Sequence, residues 1–309
     1  MTVNGNTVPE YDQATVADMA KVMTGWTYGE TPGYATLWTN MPYYFSPMVA
    51  FETHHDSTAK TLNFPIPCTI PAGGTAESDL SAALDCIFQQ ANVAPNIAFH
   101  LIQRFVEGSP SASYVTRVAA AFQSSGGSMQ SVITAILTDP EAQAEGIGKL
   151  TEPILYATGL LRALNAKITA PDALTAQGTA MGQTALTPFS VFSFFLPGYV
   201  IPNLTPTMIA PEFQSLNAST ALARANFAYR AVTNGISSGI AVDLTNLTDV
   251  ANSPNDLVEA INQALFRGEM DSSVRAILVT AASASTNLTS RVHSALYAAA
   301  ASPQVAVQQ

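Results

Sequence analysis

Apolar residues recur three and four positions apart through most of this chain, most clearly over residues 95–122. There Ile97, Leu101 and Phe105 trace one stripe, flanked by Ala98, Ile102 and Val106. Val115, Val118, Ala119 and Phe122 trace a second, with Gly108, Ser109 and Pro110 between the two. That period is the helical one and predicts two amphipathic helices joined by a turn. Ser109 ahead of Pro110 reads as a helix start, a capping hydroxyl followed by a residue with no N–H to satisfy. His100, Gln103, Arg104 and Glu107 fall on the opposite face of the first helix, where residues three and four apart are neighbours.

The same spacing continues on both sides. Asp12 can cap a helix carrying Val16, Met19, Ala20 and Met23 and closing at Gly25. Leu80, Ala83, Leu84, Ile87 and Phe88 form one stripe, and Met129, Val132, Ile133, Ile136 and Leu137 another. Asp139 with Pro140, Glu152 with Pro153, and Ser253 with Pro254 read as further starts. Asp271 reads as the cap of one more helix, and the last runs from about residue 285 to 301, before Pro303. Two segments break the pattern. Residues 26–47 are rich in Gly, Pro, Tyr and Trp and read as an ordered loop packed by aromatics. Residues 165–208 carry many Gly and Pro, yet Phe189, Val191, Phe192, Phe194 and Phe195 suggest a strand of chain threaded through a core. A hairpin pairing 49–53 with 60–64 is expected. The fold class predicted is mainly α: an irregular multi-helix bundle with a small β-hairpin near 49–64 and long ordered loops, one domain over 1–309.

Charge excludes several functions. Only 11% of residues are charged and the net charge is −10, with a pI of about 4.7. Nothing here neutralises a nucleic-acid backbone, and an anionic lipid surface would repel the chain. No apolar run approaches the roughly 18 residues of a membrane span. The composition leans toward a secreted or cell-envelope protein; the polar start after Met1 lacks a signal peptide, as a mature form or fragment would. Cys68 and Cys86 are either a disulfide, worth about 3 kcal/mol in an exported protein, or two free thiols; their spacing does not point to zinc.

Several short motifs fall in a recognisable order: Met23 to Trp26; His55-Asp56 with Lys60; Leu101 to Val106; Ala135 to Ala142; Gly148-Lys149-Leu150 with Glu152-Pro153; Ser190 to Phe195; Ala210 to Gln214. In this order they resemble the bacterial domain-of-unknown-function 1800 family over nearly the whole chain. The resemblance implies the C-terminal portion of a longer exported protein. It also implies a possible partner, a co-exported sulfatase-like protein of the domain-of-unknown-function 1501 family. It implies no activity or cofactor. The chain departs from the family's pattern at Thr58, where Gly is usual, at Thr151, where Arg is usual, and after Lys60, where Asn63-Phe64-Pro65 replaces a Gly-rich turn.

The candidate site residues are His55, Asp56, His100 and Arg104. A histidine beside a carboxylate can act as base with its orienting partner, or hold a metal. His54 and His55 are adjacent, so on extended backbone they diverge and cannot readily share one ion. The bland readings are a loop-bonding His55, a turn-capping Asp56, and i,i+4 pairing among His100, Arg104 and Glu107. Lys149, Glu152 and Glu212 read as helix-start residues. Two functions remain open: a hydrolase-like enzyme acting on extracellular polymer, which requires those four side chains to converge, and a non-catalytic scaffold, which requires an exposed apolar patch instead.

Overall fold

The computed structural model describes residues 2–3, 6–7, 9–30, 32–34, 37–39, 42–144, 148–205 and 207–308, with backbone alone at 2, 3, 6 and 7. It is mainly helical, and its strands form small antiparallel pairs. Contacts group the chain into two compact units, one of residues 1–98 with 122–127, the other of 99–121 with 128–309. Among the described residues no helix is long and apolar enough to cross a membrane.

In the first unit, β1 (Thr2–Val3) pairs with β2 (Asn6–Thr7). Helix α1 (Gln13–Val22) starts at Asp12, whose Oδ1 accepts from the Thr15 N–H at 2.7 Å. Strand β3 (Trp26–Thr27) pairs with β4 (Val49–Ala50), and β5 (Lys60–Leu62) with β6 (Cys68–Ile70). A hairpin is therefore present, but the two expected strands do not pair with each other. Residues 63–67, Asn-Phe-Pro-Ile-Pro, turn the chain back so that β5 meets β6, and β4 takes its partner from the start of the aromatic segment. That segment is packed as expected: Tyr28 meets Tyr44 edge-on at 5.5 Å, and Trp38 stacks on His54 at 4.2 Å.

Helix α2 (Ala76–Phe88) opens with a capping box between Thr75 and Ser78. Its buried face is Ala76, Asp79, Ala83 and Cys86, whereas Leu84 and Phe88 of the expected stripe are exposed. Val22, Leu62, Ile70, Ala83 and Cys86 form this unit's core. Cys68 and Cys86 are disulfide-bonded, with Cα atoms 6.1 Å apart, tying β6 to α2.

Helix α3 (Val93–Phe105) runs from the first unit into the second, and α4 (Ala112–Ser124) runs back. In α3 the buried side chains are Ala94, Ala98, Ile102 and Gln103, while Phe105 is exposed. The buried stripe is thus turned by one position from the expected one. The cap of α4 is Ser111 rather than Ser109: its Oγ accepts from the Tyr114 N–H at 3.1 Å. Tyr114 is fully buried and donates to the Ile136 carbonyl of α5 (Met129–Thr138) at 2.7 Å. The helix expected after Asp139 is a turn over residues 139–144; residues 145–147 lie outside the described set. Arg117 clamps that turn through two 2.7 Å bonds to Asp139.

The larger core follows. Strand β7 (Lys149–Leu150) leads into α6 (Pro153–Ala163), with proline at its first turn. Strand β8 (Lys167–Ile168) precedes α7 (Asp172–Ala180), α8 (Ala218–Val232), β9 (Ile240–Ala241), which pairs with β8, and α9 (Thr245–Val250). Then come α10 (Pro254–Leu265), α11 (Ser272–Ser283), α12 (Leu288–Ala300) and α13 (Pro303–Ala306). Strand β10 (Val307–Gln308) returns to pair with β7. Leu160, Leu161, Phe227, Ile261, Leu278 and Leu296, from α6, α8, α10, α11 and α12, pack in one cluster. Each such burial is worth about 1.5–3 kcal/mol. Residues 165–208 contain α7, which the sequence reading left irregular. Phe194 and Phe195 are buried there, but Phe189, Val191 and Phe192 face solvent rather than threading a core.

Candidate functional site

Two clusters of buried charge stand out, one in each unit. In the first unit, Thr24 and Gly25 after α1, the bend at His55, strand β5 and helix α2 bring Lys60, Asp79 and His55 together. Asp79 Oδ2 accepts from Lys60 Nζ at 2.6 Å and from His55 Nε2 at 3.1 Å, and none of the three side chains is more than 2% exposed. The other ring nitrogen of His55 donates to the Thr24 carbonyl at 3.1 Å. Thr24 Oγ1 gives its proton to Lys21 O and receives the Asp56 N–H. Burial pushes the Asp79 carboxyl up, but the hydrogen bonds from Lys60 and His55 outweigh it and hold Asp79 below the usual carboxylate range. Gly25 has φ +84°, and a Cβ there would press on His55 and on the Phe51 carbonyl.

Asp56 does not join this ion cluster through its side chain. Its carboxylate caps a turn, accepting from Thr58 Oγ1 and from the Thr58 N–H at 2.9 Å; those two bonds lower its pKa. His54 points away, onto Trp38. Asp79 is the member that sequence reasoning missed. Its signal was available: it shares the helical spacing of Ala76, Ala83 and Cys86, and an acid on an apolar stripe needs a partner.

In the second unit, three sequence segments converge: 101–106, 148–153 and 210–214. Gln103, buried, donates from Nε2 to the carbonyls of Gly108 at 2.8 Å and Pro197 at 3.0 Å. Its own carbonyl accepts from Lys149 Nζ at 3.2 Å, and the same Nζ reaches Glu212 Oε1 at 2.7 Å. Lys149 and Glu212 are 2% and 5% exposed, a buried ion pair. Arg104 pairs with Glu152, whose other oxygen accepts from Gln183 Nε2 at 2.8 Å. Arg224 donates to the Thr151 carbonyl at 2.7 Å and lies over the Tyr156 ring at 5.4 Å. His100 is exposed, its ring edge-on to Phe99 at 5.6 Å. His55 and Asp56 thus belong to the first unit, and His100 and Arg104 to the second.

A cavity of about 420 Å³ opens beside the Lys149–Glu212 pair, with Glu107, Met208, Phe213 and Val307 in its walls. Two glycines keep it open. A Cβ at Gly108 would stand 2.8 Å from the Ile209 carbonyl, and one at Gly148 2.6 Å from the Gln308 carbonyl. Glu107 Oε1 is buried there with no hydrogen-bond partner. Burial, helped by the negative charge of Glu141, pushes the Glu107 carboxyl up. Such a group is suited to hold a proton and give it to a ligand. The sequence placed Glu107 on the polar face of the first helix, but α3 ends at Phe105 and Glu107 lies in the chain just beyond it. A second cavity of about 350 Å³, between α6, the end of α10 and the C-terminal segment, is lined mainly by Leu155, Leu160, Phe266 and Val305. Among the described residues, no group of three His, Cys, Asp or Glu could hold a metal ion.

No curated protein and no solved structure matches the chain. A family model described as protein of unknown function (DUF1800) matches residues 2–307, so the match is not confined to one end of the sequence. The converging segments 101–106, 148–153 and 210–214 all lie within it, and the chain belongs to the DUF1800 family.

Proposed function

We propose that this chain is a hydrolase-like enzyme acting on an extracellular polymer, with its reaction centre not at His55, Asp56, His100 and Arg104, which the two units divide between them, but in the cavity of Glu107, Lys149 and Glu212. One observation carries the reading: a buried carboxyl oxygen of Glu107 without a partner, in a cavity that a buried ion pair also lines. A protonated Glu107 gives its proton to the leaving oxygen of the scissile bond. Glu212 takes a proton from the attacking water, and the Lys149 charge offsets the negative charge that develops. Water is divided between the two products, and the proton returns from Glu212 to Glu107 through solvent. Arg104 is a positioning residue that holds Glu152 at the cluster's edge, and the His55–Asp79–Lys60 cluster holds the first unit together. The disulfide supports export to an oxidising compartment, secreted or in the cell envelope.

The rival reading is a scaffold for a co-exported, sulfatase-like protein. It is supported by the exposed apolar loop at 186–196 but leaves the cavity and its unpartnered acid without a use. The test is release of acid or reducing ends from a panel of polymers. Glu107→Gln is expected to lower the rate by roughly 10²–10⁴-fold, the range for loss of a general acid, with the circular dichroism spectrum unchanged. Full activity in that variant would remove Glu107 from the mechanism, and no release from any polymer by the wild-type protein would favour the scaffold.

A further inference from the structure

Between Asp172 and Glu212 the sequence has no Asp, Glu, Lys, Arg or His. In the middle of that stretch, large apolar side chains stand in solvent: Leu186 is 97% exposed, Phe189 69%, Val191 95% and Phe192 55%. Exposed apolar residues are common singly, whereas a run of them on one loop marks a surface built for contact. The loop is shaped rather than slack. Leu186 and Ser193 hold φ at +60° and +71°, a conformation that side chains other than glycine rarely adopt. Ser190 Oγ donates to the Ser193 carbonyl and accepts from the Phe192 N–H.

The chain that follows this loop leads to the cavity wall at Met208. Leu196 N–H donates to Gln214 at 2.7 Å, and Gln103 holds the Pro197 carbonyl. Ala210 N–H bonds Tyr199 O at 2.9 Å, and Ile201 N–H bonds Met208 O at 3.3 Å. Met208 is half exposed and also lines the cavity.

We infer that the apolar loop at 186–196 docks the substrate of the cavity that the following chain lines, and that this substrate is a water-insoluble, uncharged aliphatic polyester. The inference rests on the hydrolase reading above. The uncharged stretch offers no counter-charge to a charged polymer, and the chain's net charge of −10 repels a polyanion. A polysaccharide would bring hydroxyls that need partners. Three hydroxyls here already have partners: Thr184 with Thr179, Thr187 with the Thr184 carbonyl, and Ser190 with the Ser193 carbonyl. Hydroxyls buried against Leu186, Val191 and Phe192 would lose water without replacement. A hydrocarbon-rich chain loses nothing there, and an ester is a bond that water can split.

The test is co-sedimentation of the full chain with poly(ε-caprolactone) microparticles, microcrystalline cellulose and phosphatidylcholine vesicles, alongside acid release from the polyester and from a short soluble ester. The wild-type protein is expected to adsorb to the polyester at least tenfold more than to cellulose or vesicles. The double variant Val191→Asp, Phe192→Asp is expected to lose at least tenfold of that adsorption while keeping its melting temperature and its rate on the soluble ester. Glu107→Gln should adsorb like wild type and release acid roughly 10²–10⁴-fold more slowly. Preference for cellulose or vesicles overturns the inference, as does undiminished adsorption of the double variant. Adsorption to polyester without acid release from either ester keeps the docking surface and sinks the cavity as its reaction centre.

Discussion

Replacing Asp79 by Asn removes one charge from a site with almost no access to water. Asp79 takes Lys60 Nζ at 2.6 Å and His55 Nε2 at 3.1 Å, and the three side chains are 2% exposed or less. The amide keeps the shape and loses the charge, leaving Lys60 with the carbonyls of Asp56 and Thr58. Breaking one side of a buried pair costs about 3–5 kcal/mol. At about 2–4 °C per kcal/mol, the expected fall in melting temperature is roughly 6–20 °C at pH 7. The assay has a convenient reporter, because both tryptophans, Trp26 and Trp38, lie in the first unit. Their emission on heating reads the unit that carries the change. The pH dependence has a definite sign. The folded-state pKa of Asp79 lies below its ordinary value. Its contribution is therefore present above the unfolded value of about 3.9 and is lost as pH falls through the folded one. The gap between wild type and variant should close on acidification below about pH 4. A second change, Lys60→Met, should restore part of the loss by removing the stranded charge. A fall of less than about 2 °C at pH 7, or a gap unchanged at pH 3, would refute the reasoning.

Further outcomes follow from other sites. The raised pKa of Glu107 means that its share of stability is full below the unfolded value, about 4.3, and is lost as pH rises through the folded one. Glu107→Gln should therefore melt higher than wild type at pH 8, with the advantage absent at pH 4, as read by circular dichroism. Replacing Cys68 and Cys86 by Ser should cost about 3 kcal/mol in chemical denaturation, matching the effect of reductant on the wild type. Arg104→Ala leaves Glu152 with Gln183 alone and should cost about 1–3 kcal/mol. Gly108→Ala puts a methyl group 2.8 Å from the Ile209 carbonyl and should cost about 1–3 kcal/mol, visible as a lower melting temperature.

The helices were legible because their period is local. Capping at Asp12 and Ser253, and proline at the start of α6, could be read directly and are present. Which residues of a stripe are buried was less legible. In α2 and α3 small residues, Ala83 and Ala98, take the inside, while Leu84 and Phe105 are left outside, because close packing there favours small side chains. The strand pairing was misread because register depends on turns, and the Asn63–Pro67 turn competes with the longer connection. Buried ion pairs were the least legible feature. Lys60 and Asp79 are 19 residues apart in sequence, and Lys149 and Glu212 are 63 apart. Neither spacing carries a periodic signal, so Lys149 and Glu212 read from the sequence only as helix-start residues.

Gln103 bonds outward to Gly108 and Pro197 and receives Lys149, which in turn holds Glu212. One residue, through its side-chain amide and its backbone carbonyl, thus sets the spacing of four stretches of chain. Replacing any one of these stretches by an unrelated sequence strands a buried lysine or glutamate without its counterpart. A working chimera has to move all four together, and insertions that separate this family's members should accumulate in the loops that these contacts leave alone.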